Sequence, residues 1–144
     1  MSELAVIQTV DQMHAIEGAS LILRVSESAT FVDHDDVTAA AELNTFAAQQ
    51  REHLRWLAQL LDELDTTPGP RRVNAASADL HFNRIDSVLP RLISDKKNLI
   101  AQYERAAARV ASEPRAADLF ARIIARHRDH LTRLEKLVGA NSTA

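Results

Sequence analysis

The chain has no cysteine, which excludes disulfides, thiolate metal sites and cysteine nucleophiles and leaves its redox compartment unmarked. Three glycines and four prolines are too few for an all-β fold with many turns. Aromatic residues make up only 4%, and alanine is abundant, which favours closely packed helices over a sheet. No apolar run approaches the roughly 20 residues that cross a bilayer. The opening MSELAVIQTVDQ has no basic start followed by an apolar core, so no signal peptide is expected. A net charge of −3 gives no general attraction to nucleic acid or anionic lipid. There is no glycine-rich phosphate loop, no HExxH and no nucleophile elbow. These absences leave a soluble, cytoplasmic protein as the expectation. With 46% apolar and 26% charged residues, residues 1–144 are expected to form one globular domain.

What the sequence does contain is helical periodicity. In Ala39 to Leu64, the residues Leu43, Ala47, Gln50, Leu54, Leu57, Leu61 and Leu64 recur at steps of four and three, which lines up one face of a helix. Similar seams run through Val6, Val10, Met13, Glu17 and Ser20, through Leu89, Leu92, Lys96, Leu99, Tyr103, Ala106 and Val110, and through Ala116, Phe120, Ile123, His127, His130, Leu134 and Leu137. The expected helices cover about 3–29, 36–65, 87–112 and 114–138. Pro90 favours a start of the third helix near 87 rather than near 78, because proline is tolerated in a first turn and costs about 3 kcal/mol deeper inside. Gly139 is expected to end the fourth helix. The connections are then short, long and short. That is the pattern of an all-α, antiparallel four-helix bundle with a long crossover between its second and third helices.

Each seam carries a polar residue where an apolar one is expected: Glu17, Gln50 with His53, Lys96, and His127 with His130. Four helices of similar length side by side would bring these positions into one layer.

Local phrases then give a family resemblance. QQREHLRWL resembles the second-helix E-x-x-H of the ferritin-like superfamily, the rubrerythrin and bacterioferritin-type bundles; DKKNLIAQYERAA resembles its third-helix glutamate with a tyrosine seven residues on; IIARHRDHL resembles its fourth-helix E-x-x-H. The resemblance covers roughly residues 5–138. It implies two irons or related metals held between the helices by carboxylates and histidines. Carried over by position, Glu17 is the first-helix glutamate, Gln50 and Lys96 stand where glutamates belong, and Ile124 stands at the fourth-helix glutamate. His53 and His127 keep the two histidines.

One carboxylate of four suits a dinuclear site badly, since hard cations need several charged oxygens. The favoured expectation is that the Lys96 ammonium takes the place of the cation, pairing with Glu17 and the Gln50 carbonyl, with no cofactor and no catalytic residue. The bland reading of Lys96 is a side chain that snorkels to solvent. The alternative function is a metal-binding oxidoreductase or iron-handling protein whose altered site uses Glu17, His53 and His127 for iron, manganese or zinc. A third class is an enzyme with Lys96 as base or nucleophile. Trp56 is expected under the crossover or in a homodimer contact, a homodimer being placed on the wide apolar faces of helices one and two. Arg115, Arg122, Arg126 and Arg133 are read as a solvated stripe, with no nucleic-acid or membrane partner.

Overall fold

A computed structural model describes residues 3–28, 37–64 and 85–143. All of these lie in helices or the turns that end them, and no strand is present among them. The elements are α1 (Glu3–Gly18), α2 (Leu21–Ser28), α3 (Val37–Glu63), α4 (Ile85–Arg109) and α5 (Pro114–Thr143). α1 packs along α3, α4 packs along α5, and α1 and α2 also touch α4.

Two apolar clusters show how the helices run. One gathers Val6 and Val10 of α1, Leu57 and Leu61 of α3, Tyr103 and Val110 of α4, and Ala116 and Phe120 of α5. The other gathers Ile22 and Val25 of α2, Leu43 and Phe46 of α3, Leu89 and Leu92 of α4, and Leu134 of α5. The start of α1, the end of α3, the end of α4 and the start of α5 therefore share one end of the bundle. α1 and α3 are antiparallel, as are α4 and α5, whereas α3 and α4 run parallel. Leu64 closes α3 within the first cluster and Val88 lies near the start of α4 within the second. The connection from 65 to 84 thus joins opposite ends, as a lengthwise crossover must. The alternative start of the third helix near 78, and any cover of Trp56 by the crossover, fall outside the described residues.

Three expected boundaries are corrected. The first helix is not continuous over 3–29 but breaks at Ala19–Ser20. There the Leu21 amide, in place of a bond to Glu17, donates to Asp95 Oδ2 of α4 at 3.1 Å, so a carboxylate from another helix caps α2. The Ala19 carbonyl accepts from the Arg24 guanidinium, and Ser20 N donates to the Glu17 carbonyl at 3.2 Å in a tightened last turn. The third helix begins at Ile85, which puts Pro90 inside it rather than in its first turn. The last helix continues past Gly139 to Thr143. A Cβ at Gly139 would meet nothing within 4 Å, so no close neighbour forces the chain to turn there. Ser112 and Glu113 form the short turn expected before Pro114: Glu113 N donates to the Val110 carbonyl at 2.9 Å, and the Glu113 side chain holds Arg115.

Candidate functional site

Between the two apolar clusters lies a layer of buried polar side chains: Glu17 and Ser20 from the first helix and its break, Gln50 and His53 from α3, Lys96 from α4, and His127 and His130 from α5. Tyr103, two turns along α4 from Lys96, reaches in from the first cluster. Each helix delivers its polar residue on the face that also carries its apolar seam, so burial of the seam buries the polar residue with it. The alternative in which Lys96 snorkels to solvent is excluded, since its side chain is 1% exposed.

The hydrogen bonds fix the protonation pattern. Lys96 Nζ lies 3.1 Å from Gln50 Oε1, 2.9 Å from His127 Nδ1 and 3.2 Å from His130 Nδ1. An ammonium has three N–H donors and no acceptor, so all three are used and both Nδ1 atoms accept. Each ring then carries its proton on Nε2. His127 Nε2–H donates to Glu17 Oε1 at 2.9 Å, and His130 Nε2–H donates to Gln49 Oε1 at 2.6 Å. The Gln50 amide donates to Glu17 Oε2 at 2.6 Å and to Ser20 Oγ at 2.7 Å. The Tyr103 hydroxyl completes the set, donating to Glu17 Oε1 at 2.6 Å. Glu17 and Lys96 are therefore linked through Gln50 and His127 rather than by the direct pair that the sequence suggested.

Electrostatics agree with this assignment. Burial drives the His127 imidazole down to about 4, with Lys96 adding to the effect against the pull of Glu17. Burial and the Lys96 charge push His130 down to about 2. Both rings are neutral at neutral pH. Burial opposes ionisation of Glu17, yet its contacts with His127 and His53 hold its carboxyl well below the usual range. Burial lowers the Lys96 ammonium to about 8, against the attraction of Glu17 and Asp95. Burial and the neighbouring Glu17 carboxylate raise the Tyr103 hydroxyl well above its ordinary value. At pH 7 one positive Lys96 balances one negative Glu17.

His53 stands apart. Its Nδ1 lies 3.4 Å from Glu17 Oε1, and neither ring nitrogen has a hydrogen-bond partner although the residue is fully buried. Its ring faces the edge of His127, with centroids 4.9 Å apart. Ligand atoms of Glu17, His53 and His127 all lie within 4.8 Å of one another, so these three residues are the group that could grip a single ion.

All six polar residues singled out from the sequence meet in this layer. Ile124, expected at the fourth-helix glutamate position, instead packs in the apolar cluster with Ile123 and Phe120. The three-residue pair that α5 turns inward is His127 with His130, one step later than the resemblance placed it. His130 was visible on its seam as one of a three-residue pair with His127 able to grip an ion, and Ser20 was read as an ordinary seam residue. Gln49 lies off the seam and had no signal.

A dinuclear centre fits these side chains poorly. Its hard cations need several charged oxygens, and the only carboxylate in the layer already accepts from Tyr103, His127 and Gln50. The inward carbonyl and both inward Nδ1 atoms point at an ammonium.

Comparison with solved structures places this architecture. A bacterioferritin from Desulfovibrio desulfuricans, described with its diiron site in different catalytic states, superposes with a TM-score of 0.83 at 18% identity, over 98% of this chain and 82% of that one. A ferritin-like diiron-carboxylate protein from Bacillus anthracis strain Ames superposes at 0.78 with 17% identity, over 96% and 99%. No family model and no curated protein matches the sequence.

Proposed function

From the premise that this is a ferritin-like four-helix bundle, we propose that it has exchanged a dinuclear metal centre for a tethered cation, Lys96, and acts as a structural or partner-binding module. The observation that carries the reading is the saturation of the Lys96 ammonium by Gln50, His127 and His130. Charge arithmetic supports it. Four carboxylates against two divalent ions make a neutral layer in the metal-holding relatives; one carboxylate against one ammonium makes a neutral layer here. Lone buried charges cost several kcal/mol, so electroneutrality is the condition any replacement has to meet.

The test is elemental analysis of protein purified without chelator. Iron, manganese and zinc are expected far below one equivalent. A stoichiometric ion at the bundle centre overturns the reading. The triple variant Gln50→Glu, Lys96→Glu, His127→Glu is expected to take up about two divalent ions per chain, because it returns the carboxylates that such a centre uses.

A second reading rests on His53. Two buried nitrogens without a partner, beside Glu17 and His127, favour a single ion bound by these three residues. That reading expects about one zinc, iron or manganese per chain, lost in His53→Ala. In such a site the metal would supply Lewis acidity, while Lys96 and His130 would only orient His127. In either case we take the protein as cytoplasmic. No helix among the described residues is long and apolar enough to cross a membrane. A homodimer through the outer faces of the first and second sequence helices is supported by Leu4 and Val37, each 63% exposed; light scattering tests it.

A further inference from the structure

The buried side-chain nitrogens left without a hydrogen bond, among the described residues, belong to His53 and to Arg126. Both border the same ring. The His53 centroid lies 5.4 Å from that of Trp56, and the Arg126 guanidinium lies 4.9 Å from it. Arg122, one turn earlier on α5, sits 5.3 Å from the ring and makes no ion pair among the described residues. The carboxylate nearest Arg126, on Glu52, is at 3.7 Å, beyond hydrogen-bond reach. Two guanidiniums are thus held one turn apart against one indole, with N–H groups to spare. Trp56 and Arg122, with Leu60 and Leu119, line a groove of about 400 Å³ between α3 and α5.

We propose that this groove binds a small monocarboxylate. Its carboxylate lies on Arg122, at the groove edge that neighbours Arg126, and its apolar body lies on Trp56, Leu60 and Leu119. A guanidinium stacked on an aromatic face keeps its N–H edge free, and that edge matches a carboxylate's two oxygens. An anion on Arg122 also offsets its repulsion with the nearby Arg126. The volume is that of an ordinary small-molecule site. The opposite end sets a limit on the ligand. Arg115 there is engaged by Glu113 at 2.9 Å and Glu63 at 4.0 Å. Asp118 has no such partner among the described residues and disfavours a second carboxylate. The groove therefore selects one negative charge attached to an apolar group. This holds whether or not the central layer carries an ion, because neither guanidinium belongs to that layer.

Trp56 is the only tryptophan, so its fluorescence reports on this site alone. Benzoate titrated into the full-length protein is expected to give a saturable change. Terephthalate and inorganic phosphate are expected to bind at least about tenfold more weakly. Arg122→Gln is expected to weaken benzoate about tenfold, the size of effect that loss of one charged hydrogen-bond donor gives. Arg133→Gln, further along α5, is expected to leave it unchanged. Arg122 is exposed, so its variant keeps the fold and decides the matter even if Arg126→Gln is unstable. The proposal is overturned by the absence of a saturable change, by equal benzoate affinity in Arg122→Gln, or by phosphate or terephthalate binding as tightly as benzoate.

Discussion

Lys96 and His53 are buried in one layer, contributed by helices on opposite sides of it, and their surroundings differ. On the Lys96 side every polar atom has its partner: three N–H groups meet three acceptors, and the acceptors' own protons go on to Glu17, Ser20 and Gln49. On the His53 side two ring nitrogens have none, and the next neighbour outward is Trp56 with its two guanidiniums. Satisfied buried networks specify one arrangement, and unsatisfied groups mark where something is missing or where little is at stake. The difference assigns the layer's structural role to the Lys96 side and leaves its His53 side chemically open.

The sharpest way to break this contrast is to remove the ammonium. Lys96→Met leaves Glu17 as a buried charge without a counter-charge and strips donors from Gln50, His127 and His130 together. A loss of about 3–5 kcal/mol is expected in urea unfolding, the range for halving a buried pair. Lys96→Met with Glu17→Gln removes both charges, so the double variant is expected to be more stable than the sum of the single changes by about 1–3 kcal/mol. Strict additivity would mean that the two charges do not sense each other through Gln50 and His127.

The pH dependence of stability probes the same side in a graded way. His127, at about 4 in the folded chain, and His130, at about 2, both lie below an ordinary imidazole at 6.5. Between about 6.5 and 4 the unfolded chain holds the extra protons, so stability is expected to fall as pH is lowered through that window, by up to about 3 kcal/mol for each ring. Glu17, held low, adds to the loss once pH drops below the ordinary carboxylate range. Lys96 acts with the opposite placement. Its folded value of about 8 lies below the ordinary 10.5, so from about pH 8 the folded state gives up its proton first and stability is expected to rise with pH. This rise ends near pH 10, where the single tyrosine, Tyr103, ionises in the unfolded chain while it stays protonated in the folded one. The rising limb is expected to vanish in Lys96→Met. Its persistence there would assign it to another group.

His53 is expected to respond far less. Replacing it with leucine removes two unsatisfied nitrogens and keeps an apolar side chain of similar size, so the change in stability should stay within about 1 kcal/mol of zero. The same replacement at His130 strips partners from Lys96 and Gln49 and is expected to cost about 2–3 kcal/mol. A His53→Leu loss as large as that of His130→Leu would show that an ion or a water satisfies His53 after all.

Much of this was legible in the chain. Nearly every position on the step-of-four-and-three seams is buried, and the polar residues that interrupt them, Glu17, Gln50, Lys96 and His127, are the ones that meet. Seam position reads well because burial acts on whole helix faces. The register between helices is less legible, since it is set by contacts far apart in sequence. The fourth-helix pattern was accordingly placed three residues early, at Ile124 and His127 rather than His127 and His130. The break at Ser20 was hidden for a similar reason: the group that stabilises it, Asp95, lies 74 residues away on another helix. Gln49 entered the network as an acceptor beside the seam, where no periodicity marks it.

Gly18 offers the smallest and cleanest control on the comparison, because it borders the layer without belonging to it. It closes α1 one residue after Glu17, and a Cβ added there would meet Leu54 Cδ2 at 3.7 Å, an ordinary contact. Glycine is therefore not required by packing at this point. Gly18→Ala restricts the unfolded chain without disturbing Glu17 and is expected to stabilise by about 0.5 kcal/mol. The pH profile should shift upward in parallel and keep its shape, since no proton-binding group has changed its surroundings. A gain with an altered profile would mean that the break between α1 and α2 and the protonation of the layer are coupled, which would extend the structural role of the Lys96 side across to the first helix.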